Sequence, residues 1–175
     1  MHYVFIMQEG GTDMICDVST IMNNEGASAP FSGCVSAFTL TPDVEILKIQ
    51  LDGSIACTGG VLVMDANVVA DVKTQCARCL KEISLPLNFS FSETLVLSGQ
   101  ETDADVDSVV FFEGKEIDVG EIAINNLLLN ISSKYLCSDD CRGICPKCGK
   151  NLNEGDCDCD FFEIDERWEK LKNFK

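Results

Sequence analysis

The 175-residue sequence is poor in groups that would support several common functions. It has one histidine, His2, next to a terminus, so a histidine-based catalytic relay has nothing to work with. No apolar run approaches the roughly 18 residues that a membrane-spanning helix needs. The first residues lack a basic start, and the apolar stretch 3–7 is too short for a secretory signal. Positive charge is scarce: 13 Lys and Arg face 29 Asp and Glu, for a formal charge of -16. That balance opposes a broad phosphate-binding face, which is built from clustered cations. The carboxylates are spread out and form no convincing catalytic pair. Internal repeats and low-complexity tracts are absent. A cytoplasmic protein without a small-molecule substrate or a membrane partner is the expectation.

What is present is a globular composition, 46% hydrophobic and 24% charged. A chain of this length buries roughly 70% of its unfolded surface, so its eleven cysteines are not needed to staple a tiny fold. In a reducing compartment, cysteines paired at short spacing point to metal before disulfide.

Three parts follow from the patterning. Residues 31–38 and 45–51 alternate apolar and polar side chains, 61–64 and 68–74 are rich in β-branched residues, and 84–97 alternates again through Leu85, Leu87, Phe89 and Phe91. Gly53, Gly59 and Gly60 punctuate these segments. An acidic break at 101–107 reads as a loop, and 109–112 as a further strand. Asp118 and Glu121 then mark a helix start, with Ile122, Leu127, Leu128 and Ile131 as its apolar side. The fold class is α+β: a mainly antiparallel sheet, open or curled into a partly closed barrel, with one covering helix and a Cys-rich zinc-knuckle module at the carboxyl end. The expected domains are a β-rich core at 14–132 and a metal-binding tail at 133–175. Trp168, Leu171 and Phe174 place a short helix at the tail's end.

Eight of the cysteines come in pairs: Cys76 with Cys79, Cys137 with Cys141, Cys145 with Cys148, and Cys157 with Cys159. A tetrahedral Zn²⁺ takes four thiolates at about 2.3 Å, and two intervening residues let a tight turn aim two sulfurs at one ion. In Cys145-Pro-Lys-Cys148-Gly-Lys, Pro146 fixes one dihedral and Gly149 permits a positive one. Cys157 and Cys159 share one side of an extended chain. Cys145, Cys148, Cys157 and Cys159 therefore group as one Cys₄ site. The simplest arithmetic joins the other two pairs, Cys76, Cys79, Cys137 and Cys141, as a second site that clamps the tail to the sheet. A rival partition uses Cys137, Cys141 and Cys145, which would share one helical face. A thioredoxin-like role for Cys76 and Cys79 lacks its βαβ context. Two Zn²⁺ are expected, with iron as the alternative. With eight thiolates and two Zn²⁺ the formal charge moves from -16 to about -20. Arg142, Lys147 and Lys150 still form a local basic spot, either a solvated rim or a contact for RNA or an acidic partner. The unpaired Cys16, Cys34 and Cys57 read as core or boundary residues.

Cys76-Ala-Arg-Cys79-Leu80 and the stretch from Cys141 through Cys145-Pro-Lys-Cys148-Gly149 to Asn153 resemble the bacterial YceD family, the large ribosomal RNA subunit accumulation proteins. Residues 118–129 are similar to that family's helix. Asp165-Glu-Arg167 with Leu171 is similar to its closing pattern, though Glu166 stands where the family has proline. The similarity covers roughly 17–172, and residues 1–13 read as an extension ahead of the usual start, with Met14 as a possible initiator. The resemblance implies a non-enzymatic factor for ribosome biogenesis, needed for synthesis, processing or accumulation of large-subunit (23S) rRNA. It also implies a ribosomal protein or the pre-ribosomal large subunit as partner. The residues alone leave two other readings open: a rubredoxin-like iron protein in electron transfer, and a zinc-ribbon nucleic-acid-binding module.

Overall fold

The computed structural model describes residues 6–7, 14–100 and 109–159. The chain divides into two compact units: the first is Met1–Thr74 with Ser84–Ser133, the second Gln75–Ile83 with Lys134–Lys175. The elements, in order, are β1 (Ile6–Met7), β2 (Met14–Asp17), β3 (Ser28–Val35), β4 (Phe38–Thr41), β5 (Val44–Thr58), β6 (Val61–Gln75), β7 (Glu82–Leu97), β8 (Val109–Phe112), β9 (Glu116–Asp118) and α1 (Val119–Asn130). They make a three-stranded sheet, β1-β2-β9, and a six-stranded sheet ordered β3-β5-β6-β7-β8, with β4 also on β5.

The long β5–β6 hairpin follows from turn chemistry and alternation. Gly59 and Gly60 both take positive φ, 62° and 81°, as a two-residue primed turn requires, and Thr58 pairs with Val61 across it. Along β6, Met64, Ala66, Val68, Ala70 and Val72 are buried, while Asp65, Asn67, Val69 and Asp71 are exposed. This strict period of two carries the strand straight through Asp65–Asn67, so 61–64 and 68–74 are parts of one strand. Gly53 is likewise no break. It lies within β5 opposite Ala66, where a Cβ would come within 2.3 Å of the Asp65 carbonyl oxygen and 2.7 Å of Phe31 Cζ. The missing side chain lets Phe31 and the neighbouring strand close over that point.

The sheet is not a barrel. Among the described residues no pair joins β8 to β3 or β4, so the sheet keeps two edges. The physical reason is β8 itself. Only four residues long, it runs parallel to the last four of β7, Thr94–Leu97, and leaves no antiparallel partner to close the sheet. The core is instead completed by α1, whose Val119, Ile122, Ala123 and Leu127 join one cluster with Ile46, Ile49, Leu51 and Ile55 of β5.

Asp118 starts the helix as its spacing predicts. Its Oδ1 accepts from the amides of Gly120 (2.9 Å) and Glu121 (3.0 Å), and also from Met14 of β2 (3.2 Å). The same carboxylate therefore sets the helix start and holds the neighbouring strand. Leu128, read as part of the apolar side, is 48% exposed, because the buried stripe runs through Ile122, Ala123 and Leu127. Cys16 and Cys57 are buried, but Cys34 is exposed on β3. The expected extension at 1–13, the loop at 101–107 and the terminal helix around Trp168 lie wholly or largely outside the described residues. No helix among the described residues is long and apolar enough to cross a membrane.

Gly53 and Gly33 separate two kinds of crowding. Gly53→Ala meets backbone and should lose about 1–3 kcal/mol in urea unfolding. At Gly33 the would-be Cβ meets Met14 Sδ at 2.6 Å, and a thioether can swing aside, so Gly33→Ala should cost under about 1 kcal/mol. Equal losses at the two sites would contradict the close approach at Gly53.

Candidate metal centre

Among the described residues of the second unit, the buried cluster is Cys76, Cys79 and Cys141, with Leu136 and Ile144 packed against them. Cysteine is thus the main buried residue type of this described part, where a hydrophobic core would have leucine, isoleucine or valine.

Its eight cysteines converge in two sets. The sulfurs of Cys76, Cys79, Cys137 and Cys141 lie within 4.8 Å of one another, as do those of Cys145, Cys148, Cys157 and Cys159. In the first set Cys76 Sγ is 3.7 Å from Cys141 Sγ, and Cys79 Sγ is 3.6 Å from Cys137 Sγ. Four sulfurs at 2.3 Å from one ion stand about 3.8 Å apart along a tetrahedron's edge, so these separations fit a bound ion. Cys145 falls in the second set, not with Cys137 and Cys141. Each set could hold one metal ion.

Both sets are built on the same turn. The Cys76 amide donates to the Lys81 carbonyl (2.8 Å) and the Leu80 amide to the Cys76 carbonyl (2.9 Å). Sixty-nine positions on, the Cys145 amide donates to Lys150 O (2.8 Å) and Gly149 N–H to Cys145 O (2.9 Å). The residue after the second cysteine takes positive φ in each, 60° at Leu80 and 74° at Gly149. A six-residue repeat, Cys-x-x-Cys-x-Lys, is therefore present, which corrects the expectation that internal repeats are absent. Leu80 is the sole non-glycine residue with positive φ among the described residues.

The turns aim backbone amides at the leading sulfur. Cys145 Sγ accepts from the amides of Lys147 and Cys148, both at 3.4 Å. The Cys148 amide, against burial and with that of Lys147, draws the Cys145 thiol down to about 6. Burial opposes ionisation of Cys76, yet the amides of Cys79, Arg78 and Cys137 bring it down to about 6 as well. Cys137 is pushed up to about 12 by its bond with Cys141, and Cys159 to about 12 by its bond with Cys148. Each set thus favours a first thiolate and resists the last. Four thiolates in one set require a cation among them.

Side chains tie the sets into one unit. Arg78 Nη1 donates to the carbonyls of Cys141 (2.9 Å) and Asp139 (3.1 Å), and the Arg78 carbonyl accepts from Ile144 N–H (3.1 Å). Gly143 makes that approach possible: its φ is +77°, and a Cβ would lie 3.0 Å from Arg78 O. Arg142 pairs with the Asp156 carboxylate, and Lys150 Nζ donates to the Asp156 carbonyl (2.6 Å). Two cations of the expected RNA contact, Arg142 and Lys150, therefore brace the approach to Cys157. Asn153 was not singled out by its sequence context, yet its Nδ2 donates to Cys141 Sγ at 3.4 Å. An asparagine in a polar loop carries no signal of that role. The matching Cys-x-x-Cys-x-Lys strings, which the sequence reading passed over, are the signal by which Leu80 and Lys81 could have been aligned with Gly149 and Lys150.

The family model described as "Large ribosomal RNA subunit accumulation protein YceD" matches residues 64–175, more than half of the chain and all eight clustered cysteines. The chain belongs to the YceD family. A relative named "Large ribosomal RNA subunit accumulation protein YCED homolog 1, chloroplastic", from Arabidopsis thaliana, is 38% identical over 63 residues, covering 36% of this chain and 20% of that protein. An uncharacterized protein of Mycobacterium tuberculosis is 31% identical over 114 residues, covering 64% of this chain and 54% of that protein. The chain thus spans about half the length of the mycobacterial relative and a fifth of the plant one. No solved structure matches the chain.

The left-handed residue of the first turn offers a local test. Leu80→Gly should remove a strain of about 1–2 kcal/mol and slow metal loss to a chelator. Leu80→Val, β-branched at a left-handed position, should speed that loss. Identical rates in wild type and both variants would show that the turn does not control metal retention.

Proposed function

We propose that this chain is a non-enzymatic factor in ribosome biogenesis, needed for accumulation of large-subunit rRNA. It acts in the cytoplasm through protein contact and carries two structural Zn²⁺ ions. Cys76, Cys79, Cys137 and Cys141 hold one, and Cys145, Cys148, Cys157 and Cys159 the other. The observation that carries the role is the family match across 64–175. Closed all-cysteine sets with amides aimed at the leading sulfur suit a structural zinc. Zinc contributes cohesion to a described part whose buried cluster is made chiefly of cysteines.

The distribution of charge supports a basic protein partner over RNA. Among the described residues of the first unit the cations are Lys48, Lys73 and Lys115, and Lys73 lies 3.8 Å from Glu45. A basic ribosomal protein would be steered to such a surface at low salt and released as salt rises. Depleting the protein should lower mature large-subunit rRNA relative to the small-subunit species; an unchanged ratio would sink the role. Pull-down at low salt should recover basic ribosomal proteins, and recovery indifferent to salt would contradict steering.

Metal content tests the rest. Elemental analysis should find two zinc ions per chain. A thiol reagent should label Cys34 rapidly in the native protein, then all eight clustered cysteines once a chelator is added, and Cys16 and Cys57 only on unfolding. A red protein with thiolate-to-iron absorption would replace zinc by rubredoxin-like iron. Shifted RNA at physiological salt would favour the zinc-ribbon reading.

A further inference from the structure

The loop between the two halves of the tail set, residues 149–156, leans on the segment 143–145 that joins the two sets. Cys145 N–H donates to Lys150 O, Leu152 N–H to Gly143 O at 2.9 Å, and Ile144 bridges to Asn151 as a short antiparallel pair. Asp156 at the loop's end is held by Arg142 and Lys150. The loop's path is therefore fixed at both ends by the residues that bring Cys157 and Cys159 to Cys145 and Cys148.

Asn153 sits inside this loop with its side-chain amide making three hydrogen bonds. Its Oδ1 accepts from Arg142 N–H at 2.7 Å, which determines which end of the amide faces which way. Its two Nδ2 hydrogens serve Asn151 Oδ1 at 2.8 Å and Cys141 Sγ at 3.4 Å. Cys141 belongs to the first set, and Asn153 to the loop closed by the second.

We infer that Asn153 couples the two metal centres: closing the tail centre orders the loop, and the ordered loop presents Asn153 to the Cys141 sulfur of the first centre. Asn153 is a positioning residue, not a ligand. The inference rests on the reading of both sets as metal sites. Linkage then requires reciprocity, so a metal in the first centre must strengthen the tail centre by the same factor. Hydrogen bonds from outside the ligand set change metal affinity by about 10–100-fold, which bounds the size of the coupling.

Cadmium supplies the probe, because its NMR spectrum gives one resonance per site. The full chain is loaded with cadmium(II) and titrated with a chelator. Asn153→Asp keeps the acceptor for Arg142 but removes the donor to Cys141. It should lower cadmium retention at both resonances by a common factor of about 10–100. Cys159→Ser should weaken the first centre by a similar factor, and adding Asn153→Asp to it should weaken that centre no further. An Asn153→Asp variant that holds both metals as wild type does overturns the inference. So does one that shifts the first centre alone, because Asn153 then acts on Cys141 without linking it to the tail centre, or one whose effect adds in full to that of Cys159→Ser. Where Cys159→Ser fails to fold, the paired shift of the two resonances in Asn153→Asp decides alone. A native chain that takes up no cadmium at either site instead fails the metal reading, and the inference falls with it.

Discussion

The described part of the second unit is organised around sulfurs that stand close together. Cys76 and Cys141, at 3.7 Å, and Cys79 and Cys137, at 3.6 Å, are spaced as the ligands of one tetrahedral ion would be. Among the described residues, Leu136 and Ile144 are the apolar side chains packed against that cluster. The first unit is the opposite case. Its core runs through Ile46, Ile49, Leu51, Ile55, Met64, Val68 and Val72 and needs no such centre. One chain thus combines a unit built on an aliphatic core with a unit whose described part is built around sulfur. If the sulfurs hold a divalent ion, its removal would act directly on the second unit.

The two turns show how far geometry outweighs residue type. Gly149 and Leu80 stand at equivalent places and both take positive φ, although a leucine there is strained by its Cβ. The hydrogen bonds from Cys76 to Lys81 and from Leu80 to Cys76 hold that conformation regardless. Such strain persists where the surroundings over-determine the backbone, and four converging sulfurs do so here.

The sequence made some of this legible because spacing is itself geometry. Cysteines paired two to four positions apart can aim at one point, and the convergence of the sulfurs into two sets follows the same pairs. Asp118 was legible as a cap because a carboxylate before an apolar periodic run has one common use. Gly53 misled, because a glycine in a strand and a glycine in a turn look alike in sequence. Only the approach of Phe31 and Asp65 distinguishes them, and those contacts are long-range. The barrel misled for a related reason: closure depends on which strands meet, and the parallel pairing of β8 with β7 leaves no local trace. Leu128 was misplaced because an apolar helix residue near the edge of the buried stripe can fall on either side of it. Asn153 was invisible because its partner, Cys141, is twelve positions away and the residue type has many ordinary uses in loops.

The cations bear on what such a protein can grip. Among the described residues of the second unit they are Arg78, Lys81, Lys134, Arg142, Lys147 and Lys150. Arg78 is spent on the carbonyls of Asp139 and Cys141, and Arg142 and Lys150 on Asp156. Each of these bonds steadies a segment that carries a cysteine. A phosphate backbone would have to compete for the same guanidinium and ammonium groups, and taking them would loosen the sulfur sets. A basic protein segment meets no such conflict, because it would seek the carboxylates that the first unit displays along β5 and β6, such as Asp52, Asp65 and Asp71. The exposed Arg78, Arg142 and Lys150 are thus engaged within the second unit, while Asp52, Asp65 and Asp71 of the first unit face solvent, so electrostatics favours a positively charged partner over a phosphate backbone.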